Sequence, residues 1–462
     1  MKRSYAFLSV VAVCLACSTT PPSPTLPPAT AANAAAFAGP WSGDIGPPGR
    51  PIGVELKLVV AGDALGGTLD VASQRLRGRP VSGARSDGKR LAFDVAVTDH
   101  LTVHFDGQVE GDRYTGTYTQ WPVTVPFTLA RGAAAKKVYA QSTAEYAERD
   151  VTVRNGAVSL AGTFTLPSGV SRPPVAVLVT GSGPHDRNEE VTGFKVFEEL
   201  AHALARGGVA TLRLDDRGVG ESTGDFSSAT TGDFASDAAA AVRFLRTVPE
   251  VDARRVGLIG HSEGGMVAAA DPEVAFVVML AGPGRQMDEL LIAQSELINR
   301  AEGQPEQKVQ QALAVLRHAL ALVKSGKDLS SMENELETCD GCSPDTAKAV
   351  RARMENAWFR ALISYDPQSA LRKVRCPVLA MNGSLDLQVP SRLNLPPIRA
   401  ALAGTSATVE ELEGLNHLFQ RAKTGAVSEY AKLPRQVDPQ VPEKILSFVR
   451  GLPAEKVAAG TR

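Results

Sequence analysis

Arg255-Val256-Gly257-Leu258-Ile259-Gly260-His261-Ser262-Glu263-Gly264-Gly265-Met266-Val267-Ala268-Ala269-Ala270 reads as an apolar strand, a sharp turn and a helix, with Ser262 at the bend. In such an elbow the serine takes a strained backbone conformation. The flanking Gly260 and Gly264 leave out Cβ atoms that would strike the neighbouring strand or helix. The bend holds the Ser262 hydroxyl clear of the chain. Gly260 to Gly264 alone is a weak pattern, because any glycine-rich turn carries the same residue types. The strand before it, the helix after it and two partners downstream give it weight.

A serine hydroxyl is a poor nucleophile near neutral pH. It needs a histidine to take its proton and a carboxylate to hold that histidine in the right tautomer. Cys376-Pro377-Val378-Leu379-Ala380-Met381-Asn382-Gly383 predicts a buried strand ending in a turn, and Asp386 lies in the following loop, where the acid belongs. The next strand-like run, Ala407 to Leu412, ends at Gly414-Leu415-Asn416-His417, which makes His417 the natural base. Of the other histidines, His100 and His104 lie far upstream, His202 and His318 fall in helical patterns, and His261 is inside the elbow pointing away from Ser262. His185, in a loop, is the one serious rival. Serine, acid and histidine thus follow three successive strand ends in chain order.

Acyl transfer also needs donors aimed at the oxygen that becomes negative. The backbone N–H of Glu263 is one. The run Val175 to Thr180 followed by Gly181-Ser182-Gly183-Pro184 offers the second, with Ser182 favoured and Gly181 or Gly183 as alternatives.

Together with Gly181-Ser182-Gly183-Pro184-His185-Asp186-Arg187-Asn188, Asp216-Arg217-Gly218-Val219-Gly220-Glu221-Ser222 and Gly414-Leu415-Asn416-His417, the elbow resembles the EstD-type bacterial esterases of the α/β-hydrolase superfamily, over about residues 140 to 450. The resemblance implies Ser262 as nucleophile, Asp386 as acid and His417 as base. It also implies a small β-rich domain ahead of the hydrolase core and action on carboxylic esters with short acyl chains.

The chain has 462 residues with 49 Lys and Arg against 50 Asp and Glu, a formal net charge of −1. It is long enough for two or three globular units, and it lacks the basic excess that phosphate binding requires. Nucleic acid is not an expected partner. Lys2-Arg3 and the apolar run Tyr5 to Ala16 predict an export signal, too short to span a membrane. Leu15-Ala16-Cys17 resembles a lipobox, so Cys17 is a candidate for lipidation, and the protein is expected to be a cell-envelope lipoprotein held at a membrane surface. Simple cleavage, releasing an exported or periplasmic enzyme, is the alternative. Residues 18–36, rich in Pro, Thr, Ser and Ala, predict a flexible tether.

Residues 37–135 alternate with a period near two between glycines, as in Val54 to Val60, Leu91 to Val97 and Leu101 to Gly107. This predicts a small antiparallel sandwich or barrel. His100 and His104 are expected to be exposed or satisfied rather than metal ligands. Residues 140–452 then open with a hairpin and alternate strands with helices (Phe194 to Arg206, Gly232 to Thr247). The fold class is therefore α/β, a mostly parallel doubly wound sheet of the α/β-hydrolase fold with a helical lid insertion, preceded by a small all-β domain. Asp215, Asp216 and Arg217 are assigned a structural role. The lid covers about residues 284–368, with helices expected over Met287 to Arg300, Glu306 to Val323 and Pro344 to Tyr365. Within it Cys339-Asp340-Gly341-Cys342 suits a local disulfide in an exported protein better than a metal half-site. No metal or organic cofactor is expected.

The activity expected is that of a serine carboxylesterase on small-molecule esters. A serine peptidase or amidase on the same scaffold is the alternative, for which an amine-recognising acidic cluster such as Glu333, Glu335 and Glu337 would speak. A non-catalytic exported binding protein is the other, favoured only by the short helix after the elbow.

Overall fold

The computed structural model describes residues 26–46, 52–71, 76–98, 101–120, 123–132, 139–226, 228–270, 273–325, 332–337, 342 and 344–452. The export signal, Cys17, His100 and Cys339, and with Cys339 the expected disulfide to Cys342, lie outside the described residues. The chain divides into two compact units, whose described residues are 26–132 and 139–452.

In the first unit eight strands, β1 (Gly39–Ile45), β2 (Ile52–Ala61), β3 (Ala64–Val71), β4 (Leu76–Ser86), β5 (Arg90–Thr98), β6 (Leu101–Glu110), β7 (Arg113–Gln120) and β8 (Val123–Arg131), pair in sequence order. β1 also pairs antiparallel with β8, from Trp41 opposite Arg131 to Ile45 opposite Phe127, which closes a barrel. Of the two expected architectures the barrel is the one formed. Alternation explains its filling: in β2, Val54, Leu56 and Leu58 are buried while Glu55 and Lys57 are exposed. Inside, Phe93 stacks on Phe105 and Tyr114 meets Phe127 edge-on, so side chains occupy the interior.

The tether expected over residues 18–36 is corrected from residue 26 onward. Ala29 N–H donates to Ala84 O and Leu65 N–H to Ala29 O. A short helix over Ala31–Ala34, capped by Thr30 and Asn33, leads into a tight turn that buries Ala34 and Phe37 in the barrel core. Alanine forms helix readily and buries little area per residue, so a run of it gives no periodic signal while still packing closely.

The second unit is built on an eight-stranded sheet of β9 (Tyr146–Asn155), β10 (Val158–Pro167), β11 (Val175–Val179), β12 (Ala210–Leu214), β13 (Val256–His261), β14 (Val277–Leu280), β15 (Val378–Gly383) and β16 (Ala407–Leu412). Their spatial order is β9-β10-β12-β11-β13-β14-β15-β16. β9 and β10 form an antiparallel hairpin, and β12 to β16 run parallel. Helices α1 (Val196–Arg206), α2 (Thr231–Arg246) and α3 (Glu263–Ala269) follow β11, β12 and β13. The inner strands β12 to β15 are buried at every residue, as helices on both faces require. One face packs against α2 and α3 through Leu245, Leu258 and Val267. The other packs against α1 and a C-terminal helix, Gln440–Arg450, through Phe197, Leu204 and Ile445.

Between β14 and β15 come α4 (Met287–Ala301), α5 (Glu306–Lys324), α6 (Met332–Glu337), α7 (Pro344–Glu355), α8 (Ala357–Ser364) and α9 (Pro367–Leu371). α4 to α8 share a core that includes Leu291, Leu316, Leu320 and Phe359. The single helix expected from Pro344 to Tyr365 is instead two. Asn356 leaves the helical conformation, and its side chain accepts the Phe359 N–H, starting α8 afresh.

Candidate active site

Ser262 stands between the last residue of β13 and the first of α3, with φ 52° and ψ −120°. A residue other than glycine rarely adopts a positive φ, and where it does the surroundings hold it there. They do so here by contact. A Cβ on Gly260 would come 2.0 Å from the Gly264 carbonyl oxygen, and one on Gly264 would come 2.2 Å from the carbonyl oxygen of Val179 in β11. Ser262 N–H is pinned to the Leu280 carbonyl of β14 at 2.8 Å. The hydroxyl itself is half-buried and has no hydrogen-bond partner among the described residues.

Asp386 and His417 are brought together, His417 Nδ1 lying 2.9 Å from Asp386 Oδ2, both side chains buried. The other oxygen of Asp386 accepts the N–H groups of Gln388 and Val389, each at 2.8 Å. The carboxylate is thus satisfied on both sides and the imidazole has one orientation. With Nδ1 donating, Nε2 is the basic nitrogen. It makes no protein hydrogen bond among the described residues, and none joins His417 to Ser262. What ties the base to the elbow is its backbone, since His261 Nε2 donates to the His417 carbonyl at 2.9 Å and the two rings lie 4.7 Å apart.

His261 itself is buried against Glu189, with Nδ1 2.8 Å from Oε1, and the same oxygen accepts the Gly181 N–H at 2.7 Å. Both ring nitrogens of His261 therefore face acceptors, which only an imidazolium satisfies. Burial alone would lower the pKa of His261 and raise that of Glu189, but their mutual attraction reverses both directions. Glu189 is held at φ 47°, a second strained residue beside the first.

Ser182 follows Gly181 on this loop. Its N–H and that of Glu263 donate to no protein acceptor among the described residues. Ser182 Oγ donates to Glu263 Oε2 at 2.9 Å. The Glu263 carboxyl is buried with no cation beside it among the described residues, and burial pushes its pKa up, against the partial effect of its hydroxyl and indole donors.

A family model of the alpha/beta hydrolases matches residues 176–429, more than half of the chain and every residue of the site just described. The chain belongs to the alpha/beta hydrolase family. Esterase EstD of Thermotoga maritima is 26% identical over 280 residues, which are 59% of this chain and 60% of that protein. The chain thus matches about three fifths of the length of that relative. An uncharacterized 31.7 kDa protein from the traX-finO intergenic region of Escherichia coli is 24% identical over 272 residues, 56% of this chain and 88% of that one. Among solved structures, dienelactone hydrolase from Anabaena variabilis is 18% identical with a TM-score of 0.37, over 66% of this chain and 99% of that one.

The remaining polar residues of this hydrolase are committed elsewhere. His185 Nε2 lies 3.0 Å from the Ser182 carbonyl, and its own N–H donates to Asp216 Oδ2 at 2.9 Å. The rival base is thus a brace of the loop. Asp215 takes a bidentate contact from the fully buried Arg187, and Arg217 holds Asp233 and Asp237, all in structural roles. His104 pairs with Asp94 in the barrel. Glu333 pairs with Arg351 at 3.4 Å, and Glu335 lies 4.0 Å from His318. Sequence reading missed Glu189 and the side chain of Glu263; it set Trp358 on the inward face of the helical insertion with Leu290 and Leu316, but not the indole's contact with that carboxyl. Glu189 did carry a local signal, since it closes the polar stretch Gly181 to Glu189 after β11. Trp358 carried a packing signal only, in the apolar spacing of its helix.

Proposed function

We propose that this hydrolase cleaves carboxylic esters through an acyl-enzyme on Ser262. The observation that carries the reading is the strained Ser262, with the Ser182 and Glu263 amides free of protein acceptors among the described residues, on a scaffold that also pairs Asp386 with His417. In this mechanism His417 Nε2 removes the proton as Ser262 Oγ attacks the ester carbonyl. The oxygen that becomes negative is received by the N–H groups of Ser182 and Glu263, and the proton passes to the leaving alcohol. Water then repeats the sequence on the acyl-serine. Asp386 stabilises the imidazolium formed at each step.

The helices from α4 to α9 serve as a lid. Met287 and Leu290 of α4 and Leu362 of α8 pack with Met266 of the elbow helix and Val389 of the acid loop. This close packing favours a small acyl group, in keeping with the likeness to the EstD esterase. The full-length protein is to be assayed on p-nitrophenyl esters from acetate to laurate beside Ser262→Ala. Turnover that peaks at short chains and falls roughly 10⁶-fold in the variant is expected. Equal turnover in both proteins, or turnover only on aminoacyl amides, would overturn the proposal.

A further inference from the structure

The Glu263 carboxyl lies directly behind the elbow and takes no part in the proton transfers. An acidic residue in the first turn of a helix is ordinarily explained by the free N–H groups of that turn, but this one points elsewhere. Oε1 accepts from Thr231 Oγ1 of α2 at 2.8 Å and Oε2 from Ser182 Oγ at 2.9 Å. The Trp358 indole N–H of α8 bridges both oxygens at 3.2 and 3.1 Å. Glu263 is 3% exposed, and no Lys, Arg or His is paired with it among the described residues. A buried carboxyl without a counter-charge is costly wherever it is not fully hydrogen-bonded. Its four contacts therefore define one geometry. A second tie joins the same segment to the elbow, since Tyr365, which ends α8, donates its hydroxyl to the Met266 carbonyl at 3.2 Å.

The two residues proposed above to receive the oxyanion are thus the carboxyl's owner and one of its donors. We infer that the Glu263 side chain is a positioning residue that holds the Ser182 and Glu263 amides at their working separation, and that it does so only while α8 seats Trp358 on it. Closure of the helical segment and competence of the oxyanion site become one event. Glu263 acts here through its neighbours, and its side chain need not touch substrate. The inference deepens the esterase reading and rests on it.

The decisive variants remove one donor each and leave both amides in place: Ser182→Ala and Trp358→Phe. Loss of a whole oxyanion donor costs roughly 10²–10³ in kcat, so misplacing one is expected to cost about tenfold. Three results are expected together. Each variant loses about tenfold in kcat at nearly constant KM. Its affinity for an alkyl boronic acid, whose serine adduct puts an oxygen between the amides, falls by the same factor. The double variant loses no more than the worse single one, because both act through one carboxyl. Glu263→Gln, which keeps an acceptor for Ser182 and the indole, should retain more activity than Glu263→Ala. Losses that multiply in the double variant, a change confined to KM, or unchanged boronate affinity would overturn the inference. Far-ultraviolet circular dichroism and Tm identify a variant that merely unfolds, and Trp358→Phe is the conservative change that guards against it. Ser262-independent turnover in the unmodified protein defeats the esterase reading itself, whereas Ser262-dependent turnover indifferent to Trp358 defeats only the positioning role.

Discussion

Gly264 shows how narrowly the elbow is specified. A methyl there would sit 2.2 Å from the Val179 carbonyl oxygen, and the obstacle is backbone that cannot rotate away. Gly264→Ala is therefore expected to destabilise the unit by about 3 kcal/mol or more and to abolish labelling of Ser262 by a fluorophosphonate, both measured on the same preparation. Asp386→Asn asks a different question. The backbone donors from Gln388 and Val389 can still be met by the amide oxygen, so the fold should persist, while the wrong tautomer of His417 lowers kcat by roughly 10⁴-fold. The residues of the site that were legible in the sequence are those tied to a local pattern: Ser262 between glycines at a strand end, and Asp386 and His417 each in the loop after a strand. Trp358 was not legible, because its role exists only through contact with Glu263 across 95 residues of chain.

At the level of elements, the hairpin of β9 and β10 is fastened to the sheet by a buried ionic cluster. Glu148 on β9 accepts from Arg213 of β12 at 2.8 Å, from Thr165 of β10 at 2.7 Å and from His202 of α1 at 3.1 Å. Burial would raise its pKa, but the His202 bond, the Arg213 charge and the further hydrogen bonds hold it down at about 2 against an ordinary 4.5. A carboxylate depressed by folding stabilises the native state above its unfolded value, and that contribution is lost as pH falls from 4.5 toward 2. Glu148→Gln should consequently cost about 3 kcal/mol at pH 7. The gap to the unmodified protein should close steadily below pH 4.5 in urea titrations. A cap is a smaller matter: Asn356→Ala should lower stability by about 1 kcal/mol through the unmet Phe359 N–H. Strands and helices were legible wherever their apolar period was strong, as in β2, β13 and α1. The break at Asn356 was not, because the apolar spacing of α7 and α8 runs across it and the cap is a single side chain.

In the molecule as a whole, the two units keep separate cores, and the barrel's core includes residues ahead of its first strand. Phe37 is completely buried there, and its carbonyl accepts the Trp41 indole N–H at 2.8 Å. Phe37→Ala should destabilise the barrel by about 3–5 kcal/mol, seen as a lower denaturant midpoint in tryptophan fluorescence. The error at residues 26–36 has the same origin, since nothing in an alanine-rich run announces that it will be packed. The topology also fixes a timetable. Every strand of the barrel pairs with its neighbour in the chain, and the closing pair joins Trp41 to Arg131, so every barrel contact lies in chain that precedes the first sheet strand at Tyr146. The nucleophile leaves the ribosome long before Asp386 and His417, and β13 waits for strands made after it. A growing chain therefore holds every residue of its N-terminal unit early, and an inert serine until residue 417 has emerged from the ribosome.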